Sequence, residues 1–287
     1  MTTICAIFLL SLFALEEQAV ADNLADRYAK MSCAVVRIQA GNEIGTGFFV
    51  NADGILVTAA HVLFNRTFVM VGTNPALQLG AKTPISVTFY DGQKKSISTP
   101  TLTDRDKENA IYDLAAIETG LKTPCFLPIG DPNLSRVGER VIAIGFPGSS
   151  NSGVLYEGFI SSKHTNVPTV VGPVVGTTQT VSATRNVMRV QMPVTAGASG
   201  SPTISDKDET IGVLSEIPVQ WTQELARVVD AYANKPGGSG VILSGFDTTK
   251  ILSELAWVVR EFESPGAGLA VPVSYLKLPA AKTPPKP

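Results

Sequence analysis

The stretch Gly197-Ala198-Ser199-Gly200-Ser201-Pro202 decides between fold classes, because it places a candidate nucleophilic serine in a glycine-rich loop late in the 287-residue chain. A serine hydroxyl becomes a good nucleophile when a histidine accepts its proton and a carboxylate orients that histidine. The chain has two histidines, His61 and His164, and both precede Ser199. In hydrolases built on a nucleophile elbow the histidine follows the serine. The sequence therefore excludes that scaffold for Ser199.

Two earlier stretches supply the other candidate groups. Thr58-Ala59-Ala60-His61 ends on the candidate base, and Tyr112-Asp113-Leu114-Ala115 holds a carboxylate immediately before an apolar strand pattern. Other aspartates and a second serine compete for these roles without that context: Asp53, Asp104, Asp106 and Ser201. The order His61, Asp113, Ser199 predicts a scaffold in which the base comes first.

Composition indicates one globular catalytic unit. Only 17% of the residues are charged and the formal net charge is -2, so nothing favours a nucleic acid or an anionic membrane as partner. The histidines and cysteines show no metal-ligand spacing, and we expect neither a metal nor a cofactor.

Residues 1–21 have the pattern of a signal peptide. An apolar run over 4–15, too short to span a bilayer, is followed by the small-residue site Ala19-Val20-Ala21. The prediction is an exported protein, periplasmic or secreted; the alternative is an N-terminal segment lying at an interface. Cys33 and Cys125 would remain after cleavage, either as a disulfide or as two buried thiols.

Short runs rich in Val, Ile, Thr and Phe, separated by Gly, Pro, Asn and Asp, predict an all-β catalytic domain over 22–280. Their spacing favours antiparallel sheets closed into barrels, one over about 30–121 and one over about 135–278, joined by a proline-containing connection at 122–138. The strand candidates are 33–39, 47–50, 55–58, 68–71, 85–90, 114–118, 140–144, 154–161, 187–192, 209–215 and 269–273.

Residues 219–263 break the strand pattern. Apolar residues recur there at helical spacing in two segments, which predicts a helical insertion before the last strand. Packing against the second barrel, a lid over the cleft and a contact between copies of the chain are the three interpretations. The proline-rich tail 281–287 is expected to fray.

Five segments in this order resemble trypsin-like serine proteases of the HtrA and bacterial type. These are 45–50, 53–62, 113–115, 136–145 followed by 153–162, and 197–202, and residues 268–272 resemble the last strand of that family. The resemblance implies two six-stranded antiparallel barrels, an HtrA-like domain with no PDZ domain following it, and a Ser-His-Asp triad. His61 would be the general base, Asp113 its orienting carboxylate and Ser199 the nucleophile. The backbone N–H groups of Gly197 and Ser199 would form the oxyanion hole.

The resemblance also places the substrate pocket. Pro193 stands where a trypsin has its aspartate, and Leu214 and Ser215 lie on the strand that would pair with substrate backbone, followed by Ile217 in place of a glycine. We expect small aliphatic side chains at the cleaved position. His164 reading an acidic side chain is the alternative. The function expected is a serine endopeptidase acting on polypeptides; a catalytically inactive trypsin-like pseudoprotease serving as a binding module and an esterase are the rival hypotheses.

Overall fold

A computed structural model describes residues 24–148, 150–216, 242–243, 246–247, 251 and 266–280. The first half begins with a helix at residues 24–32, here α1, and contains eight strands and two further helices. In chain order these are β1 Val35–Ala40, β2 Glu43–Phe49, β3 Ile55–Ala59, α2 Ala60–Leu63, β4 Phe64–Val71, β5 Asn74–Ala81, β6 Ile85–Thr88, β7 Lys94–Ile97, α3 Asp104–Ile111 and β8 Leu114–Glu118.

Among the described residues, the second half contains eight strands. They are β9 Arg140–Gly145, β10 Val154–Pro173, β11 Thr180–Gln191, β12 Pro202–Ser205, β13 Thr210–Glu216, β14 Ile242–Leu243, β15 Phe246–Asp247 and β16 Ala267–Pro272. Short 3-10 turns cover Pro132–Leu134 and Val273–Tyr275.

Six strands in each half form one antiparallel sheet. The first has the order β7-β6-β1-β2-β3-β8, and the second is a closed barrel in the order β10-β11-β16-β13-β12-β9. The all-β prediction with six strands per unit is confirmed. In the part of the chain described, the first sheet is curled, but its edge strands β7 and β8 are not hydrogen-bonded to each other. Every strand candidate falls on an observed strand, although β5, β7, β12, β14 and β15 lie outside all of them.

Strand β3 of the first unit is apolar on both faces because each face packs against a different core. All five residues of β3 are buried. Leu56 faces the interior of the first unit, whereas its neighbour Val57 joins a cluster with Ile142 and Val213 of the second barrel. A fully buried side chain of this size contributes about 1.5–3 kcal/mol. The alternation of side chains along β3 therefore fills one barrel and also holds the two units together.

Three further connections fix the N-terminal region. Cys33, directly after α1, is disulfide-bonded to Cys125 in the connection between the units. From α1, Arg27 Nε lies 2.7 Å from Asp208 Oδ1, and the Tyr28 hydroxyl donates to the carbonyl of Gly153 at 2.9 Å. Helix α1 is thereby anchored to the second barrel.

The predicted helical insertion lies mostly outside the described residues. Within 219–263 the described residues are β14, β15 and Ile251, which is helical. The predicted signal peptide at 1–21 and the tail at 281–287 lie outside them as well. None of the helices described is both long enough and apolar enough to cross a membrane.

Candidate active site

His61 and Asp113 meet at the seam between the two units. His61 lies on α2, directly after β3, and Asp113 lies between α3 and β8. His61 Nδ1 is 2.8 Å from Asp113 Oδ2, and the backbone N–H of His61 donates to Asp113 Oδ1 at 2.9 Å. With Nδ1 held by the carboxylate, Nε2 is the nitrogen left to exchange a proton with a reacting group.

Helix α3 sets the direction of the Asp113 side chain. The helix ends at Ile111, and Asp113 adopts a left-handed conformation with φ of 62°, donating its N–H to the Ala110 carbonyl at 3.2 Å. Aspartate is one of the few residues other than glycine that enter this region readily. A helix terminus that usually carries glycine or asparagine therefore carries a carboxylate here.

The Asp113 carboxylate is buried but well compensated. Its side chain is 3% exposed, Arg66 Nη1 lies 3.1 Å from Oδ1, and the Ser215 hydroxyl donates to Oδ2. Burial alone would raise the pKa of Asp113, but the charge and hydrogen bond of His61, the charge of Arg66 and the Ser215 hydrogen bond outweigh it, so the pKa lies well below its ordinary value. Asp113 is ionised whenever the protein is folded near neutral pH.

The pKa of His61 is shifted in the opposite direction from that of Asp113. Burial lowers the pKa of His61, the Asp113 carboxylate raises it through its charge and its hydrogen bond, and the charges of Arg66 and Lys82 lower it; the net pKa lies above the ordinary 6.5. The Lys82 ammonium donates to the His61 carbonyl at 2.7 Å. The side chain of His61 is 37% exposed, so the ring is accessible from solvent.

The Ser199 loop is held by the first unit through Thr46. The Thr46 N–H donates to the Ser199 carbonyl at 2.8 Å, and its hydroxyl donates to the Gly197 carbonyl at 2.8 Å and accepts from the Phe146 N–H at 2.9 Å. Gly200 has φ of 90°, and a Cβ there would lie 2.0 Å from the Thr46 carbonyl oxygen. Only glycine fits this position, because the loop approaches the backbone of β2 so closely.

The Ser199 hydroxyl lies on the Ser215 side of the site. It donates to the Ser215 carbonyl at 3.5 Å, a long contact, and among the described residues it makes no hydrogen bond to His61. The Ser215 hydroxyl in turn binds Asp113. The structure thus joins His61 to Asp113 directly and reaches Ser199 through Ser215.

The predicted oxyanion donors remain available. In the described part of the chain, the backbone N–H groups of Gly197 and Ser199 donate to no acceptor. Gly197 has φ of 92°, and a Cβ there would lie 2.5 Å from the Phe146 carbonyl oxygen. The turn is therefore fixed in a shape that glycine alone adopts without strain.

The predicted substrate-binding residues differ in exposure. Pro193 is exposed, whereas Leu214 is buried in the core of the second barrel and Ser215 is buried against Asp113. A Cβ on Gly268 would lie 2.9 Å from Val194 and 3.3 Å from Leu214. Ile217 lies outside the described residues.

Three residues of this region were not singled out from the sequence. Thr46 stands inside a motif that was quoted, but its role depends on contacts with the other unit. Arg66 and Arg185 lie on long hairpins, and nothing in their local sequence signals that Arg66 contacts Asp113 or that Arg185 contacts Ser215. His164, the alternative group for reading an acidic side chain, lies on β10 and is exposed, with Nε2 2.7 Å from the Ser162 hydroxyl.

The fold and site define a class of two-unit β proteins with a histidine–aspartate pair at the seam. The chain belongs to the trypsin-like peptidase family, whose domain model matches residues 45–213. It is 30% identical to the serine protease Do-like HtrB of Bacillus subtilis over 68% of this chain and 42% of that protein. It is 27% identical to a probable periplasmic serine endoprotease, DegP-like, of Rickettsia conorii over 61% of this chain and 28% of that protein.

The chain thus spans less than half the length of these two relatives. Among solved structures, the Rv3671c protease of M. tuberculosis in its active form matches with a TM-score of 0.54 and 16% identity. That match covers 87% of this chain and 80% of the other. At this identity the likeness concerns the fold.

Proposed function

We propose that the chain is a serine endopeptidase that hydrolyses peptide bonds through an acyl-enzyme on Ser199. The observation that carries the proposal is the 2.8 Å contact between His61 Nδ1 and an ionised, buried Asp113 at the seam that also receives the Ser199 loop. Asp113 holds the imidazole in the tautomer whose Nε2 can accept a proton. Membership in the trypsin-like peptidase family supports the same chemistry.

In the proposed reaction the Ser199 hydroxyl attacks the scissile carbonyl and its proton passes to His61 Nε2. The resulting oxyanion accepts hydrogen bonds from the N–H groups of Gly197 and Ser199. His61 then protonates the leaving amine as the C–N bond breaks, which leaves an ester on Ser199. Water, activated by His61, hydrolyses that ester and restores the serine. Rotation of the Ser199 hydroxyl from the Ser215 carbonyl toward His61 precedes the first step, since catalytic hydrogen bonds are often long before substrate binds.

The substrates proposed are polypeptides with small aliphatic residues at the cleaved position. Pro193 supplies no carboxylate to bind Lys or Arg. Val194 and Leu214 lie close around Gly268, which would limit the depth of the proposed substrate pocket. Leu214 is buried in the barrel core and would form part of the pocket wall from there. Ser215 would bind substrate through its backbone, because its hydroxyl already binds Asp113. A pool of random peptides, analysed by mass spectrometry, should be cut mainly after Val, Ala or Leu. Cleavage mainly after basic or acidic residues would contradict this preference.

Export is proposed on two grounds. The Cys33–Cys125 disulfide suits an oxidising compartment, and the matched R. conorii protein is described as probably periplasmic. Cleavage after Ala21 would leave a mature chain starting at Asp22, which N-terminal sequencing of the secreted or periplasmic protein tests. Assembly of copies through the segment 219–263 stays a prediction.

Labelling with a fluorophosphonate tests the nucleophile. The wild-type chain should be labelled and the Ser199→Ala variant should not, and turnover should fall by about a million-fold in that variant. Ser201→Ala is the matched control, because Ser201 was the nearest rival and is buried; it should still be labelled. Loss of labelling in Ser201→Ala with retention in Ser199→Ala would overturn the assignment. A folded wild-type chain that is never labelled would instead support the binding-module alternative.

A further inference from the structure

Arg66 lies against the Asp113 carboxylate opposite the imidazole. Its Nη1 is 3.1 Å from Asp113 Oδ1, whereas the His61 ring binds Oδ2. The two oxygens of one carboxylate are therefore held by a permanent cation and by the group proposed to act as base.

The position of Arg66 is fixed by more than this ion pair. Nη1 also donates to the Ala110 carbonyl at 3.0 Å, near the end of α3, and the side chain is 17% exposed. The Arg66 backbone lies directly against the other unit. Gly172 of β10 approaches it so closely that a Cβ on Gly172 would lie 2.7 Å from the Arg66 carbonyl oxygen. Two residues after Arg66 on β4, the Phe68 carbonyl accepts a hydrogen bond from the Val175 N–H at 2.8 Å. This is a constrained, partly buried ion pair, unlike a mobile surface pair.

A second arginine approaches from the second barrel. Arg185 on β11 is 2% exposed, and its Nη1 donates to the Tyr112 carbonyl at 2.9 Å and lies 3.5 Å from the Ser215 hydroxyl. Lys82, paired with Glu43 at 3.4 Å, lies on the backbone side of His61. These groups and Asp113 are the charged side chains of the described residues that contact the His61 region.

We propose that Arg66 is a positioning residue that fixes the Asp113 carboxylate beside His61 and weakens its attraction for the imidazole proton. His61 then remains unprotonated, and able to act as base, at lower pH than Asp113 alone would permit. The inference rests on the proposed function only for its catalytic consequence. The structural part concerns the protonation of His61 and can be measured without turnover.

The sign follows from the charges. The Arg66 guanidinium repels a protonated imidazole, and it also shares the carboxylate that would otherwise stabilise that imidazolium more strongly. Both effects lower the pKa of His61, in agreement with the lowering contribution of Arg66. Replacing Arg66 by a neutral residue should therefore raise the pKa of His61 further.

Proton NMR titration of the full chain tests the inference, because the sequence holds only two histidines. In Arg66→Gln and Arg66→Met the His61 midpoint should move upward. Arg66→Lys keeps the charge, so its midpoint should stay near wild type. Arg136→Gln, which removes an exposed arginine paired with Glu139, is the matched control and should leave the His61 midpoint unchanged.

An unchanged or lowered His61 midpoint in the neutral variants would contradict the inference. If neither neutral variant folds, Arg66→Lys still decides, since an upward movement there would show that the charge is not the cause. The acidic limb of kcat/KM should follow the NMR midpoint in every variant, with the alkaline plateau less affected than the limb. A wild-type chain without activity but with the expected NMR displacement would reject the proposed function and keep this inference.

Discussion

At the scale of single residues, the site depends on groups that satisfy one another across the seam. Asp113 is held ionised by His61, Arg66 and Ser215 in a place where burial alone would neutralise it. Thr46 binds both the Gly197 carbonyl and the Phe146 N–H through one hydroxyl. Each of these polar groups would be costly if its partner were removed.

The pH dependence of activity follows from the raised pKa of His61. The base must be neutral, so kcat/KM should increase with pH through a midpoint above 6.5. Stability has the opposite sign: the raised pKa of His61 contributes stability that is fully present below pH 6.5 and is lost as pH rises through the folded pKa. Initial rates with a neutral peptide substrate, together with urea unfolding at matched pH values, measure both. A midpoint of activity below 6.5 would contradict the raised pKa of His61.

Thr46→Val should loosen the nucleophile loop. The change keeps the shape but leaves the buried Phe146 N–H and the Gly197 carbonyl without their partner, at a cost of about 1–3 kcal/mol in the free energy of unfolding. The fall in kcat should exceed the rise in KM, because the Gly197 peptide is proposed to bind the oxyanion. Thr46→Ser keeps the hydroxyl and should remain close to wild type in denaturant unfolding and in kcat. Equal losses in both variants would mean that the methyl group, and not the hydroxyl, matters.

At the scale of elements, two hairpins reach across from different units and meet beside Asp113. β4 and β5 form one hairpin, β10 and β11 form the other, and Phe68 bridges to Val174 between them. Phe68, Val171 and Val174 are buried together in a small apolar cluster. The contact fixes the strand that carries Arg66.

Gly172→Ala should weaken this contact between the hairpins. The new Cβ would lie 2.7 Å from the Arg66 carbonyl oxygen, so the strands must separate, and overpacking of this kind costs about 1–3 kcal/mol. Gly80→Ala on β5 is the matched control, since nothing lies within 4 Å of a Cβ there; its effect should be within about 0.5 kcal/mol. Thermal unfolding of both variants measures the difference. Equal melting temperatures would show that the hairpin contact contributes little.

Strand β8 and helices α3 and α1 illustrate why the sequence predicts strands better than helices. β8 was predicted at its observed bounds because an apolar run follows Asp113 directly. Helix α3 was missed since its Asp-Arg-Asp-Lys-Glu-Asn sequence lacks an apolar stripe; it forms with a capping box between Thr103 and Asp106. Helix α1 carried a signal that was overlooked, because Leu24, Tyr28 and Met31 recur at helical spacing and pack on the core between the units.

At the scale of the whole molecule, the site exists only where the two units are held together. The largest shared cluster includes Phe48 and Val57 from the first unit and Ile142 and Val271 from the second. His61 and Asp113 come from the first unit, and Ser199 and Ser215 from the second. The motif order indicated which halves contribute, whereas the Arg66 and Thr46 contacts depend on packing between units and could not be predicted from local sequence.

The Cys33–Cys125 disulfide should stabilise this arrangement. The bond joins residues 92 positions apart, and closing a loop of that size in the unfolded chain is worth about 4–5 kcal/mol. The double variant Cys33→Ser, Cys125→Ser should show that loss in denaturant unfolding, and the wild type in reducing agent should approach it. The double variant in reducing agent is the control. If the reducing agent lowers the stability of the wild type by no more than it lowers that of the double variant, the result would argue against the bond.

The central claim is a covalent intermediate on Ser199, formed with help from His61 and Asp113. The most direct measurement is the intact mass of the chain, quenched in acid during turnover of a peptide ester and followed by peptide mapping. The account predicts one acyl group, located on Ser199 and absent from Ser199→Ala. Turnover with no acylated chain at any quench time, or an acyl group on another residue that persists in Ser199→Ala, would contradict it.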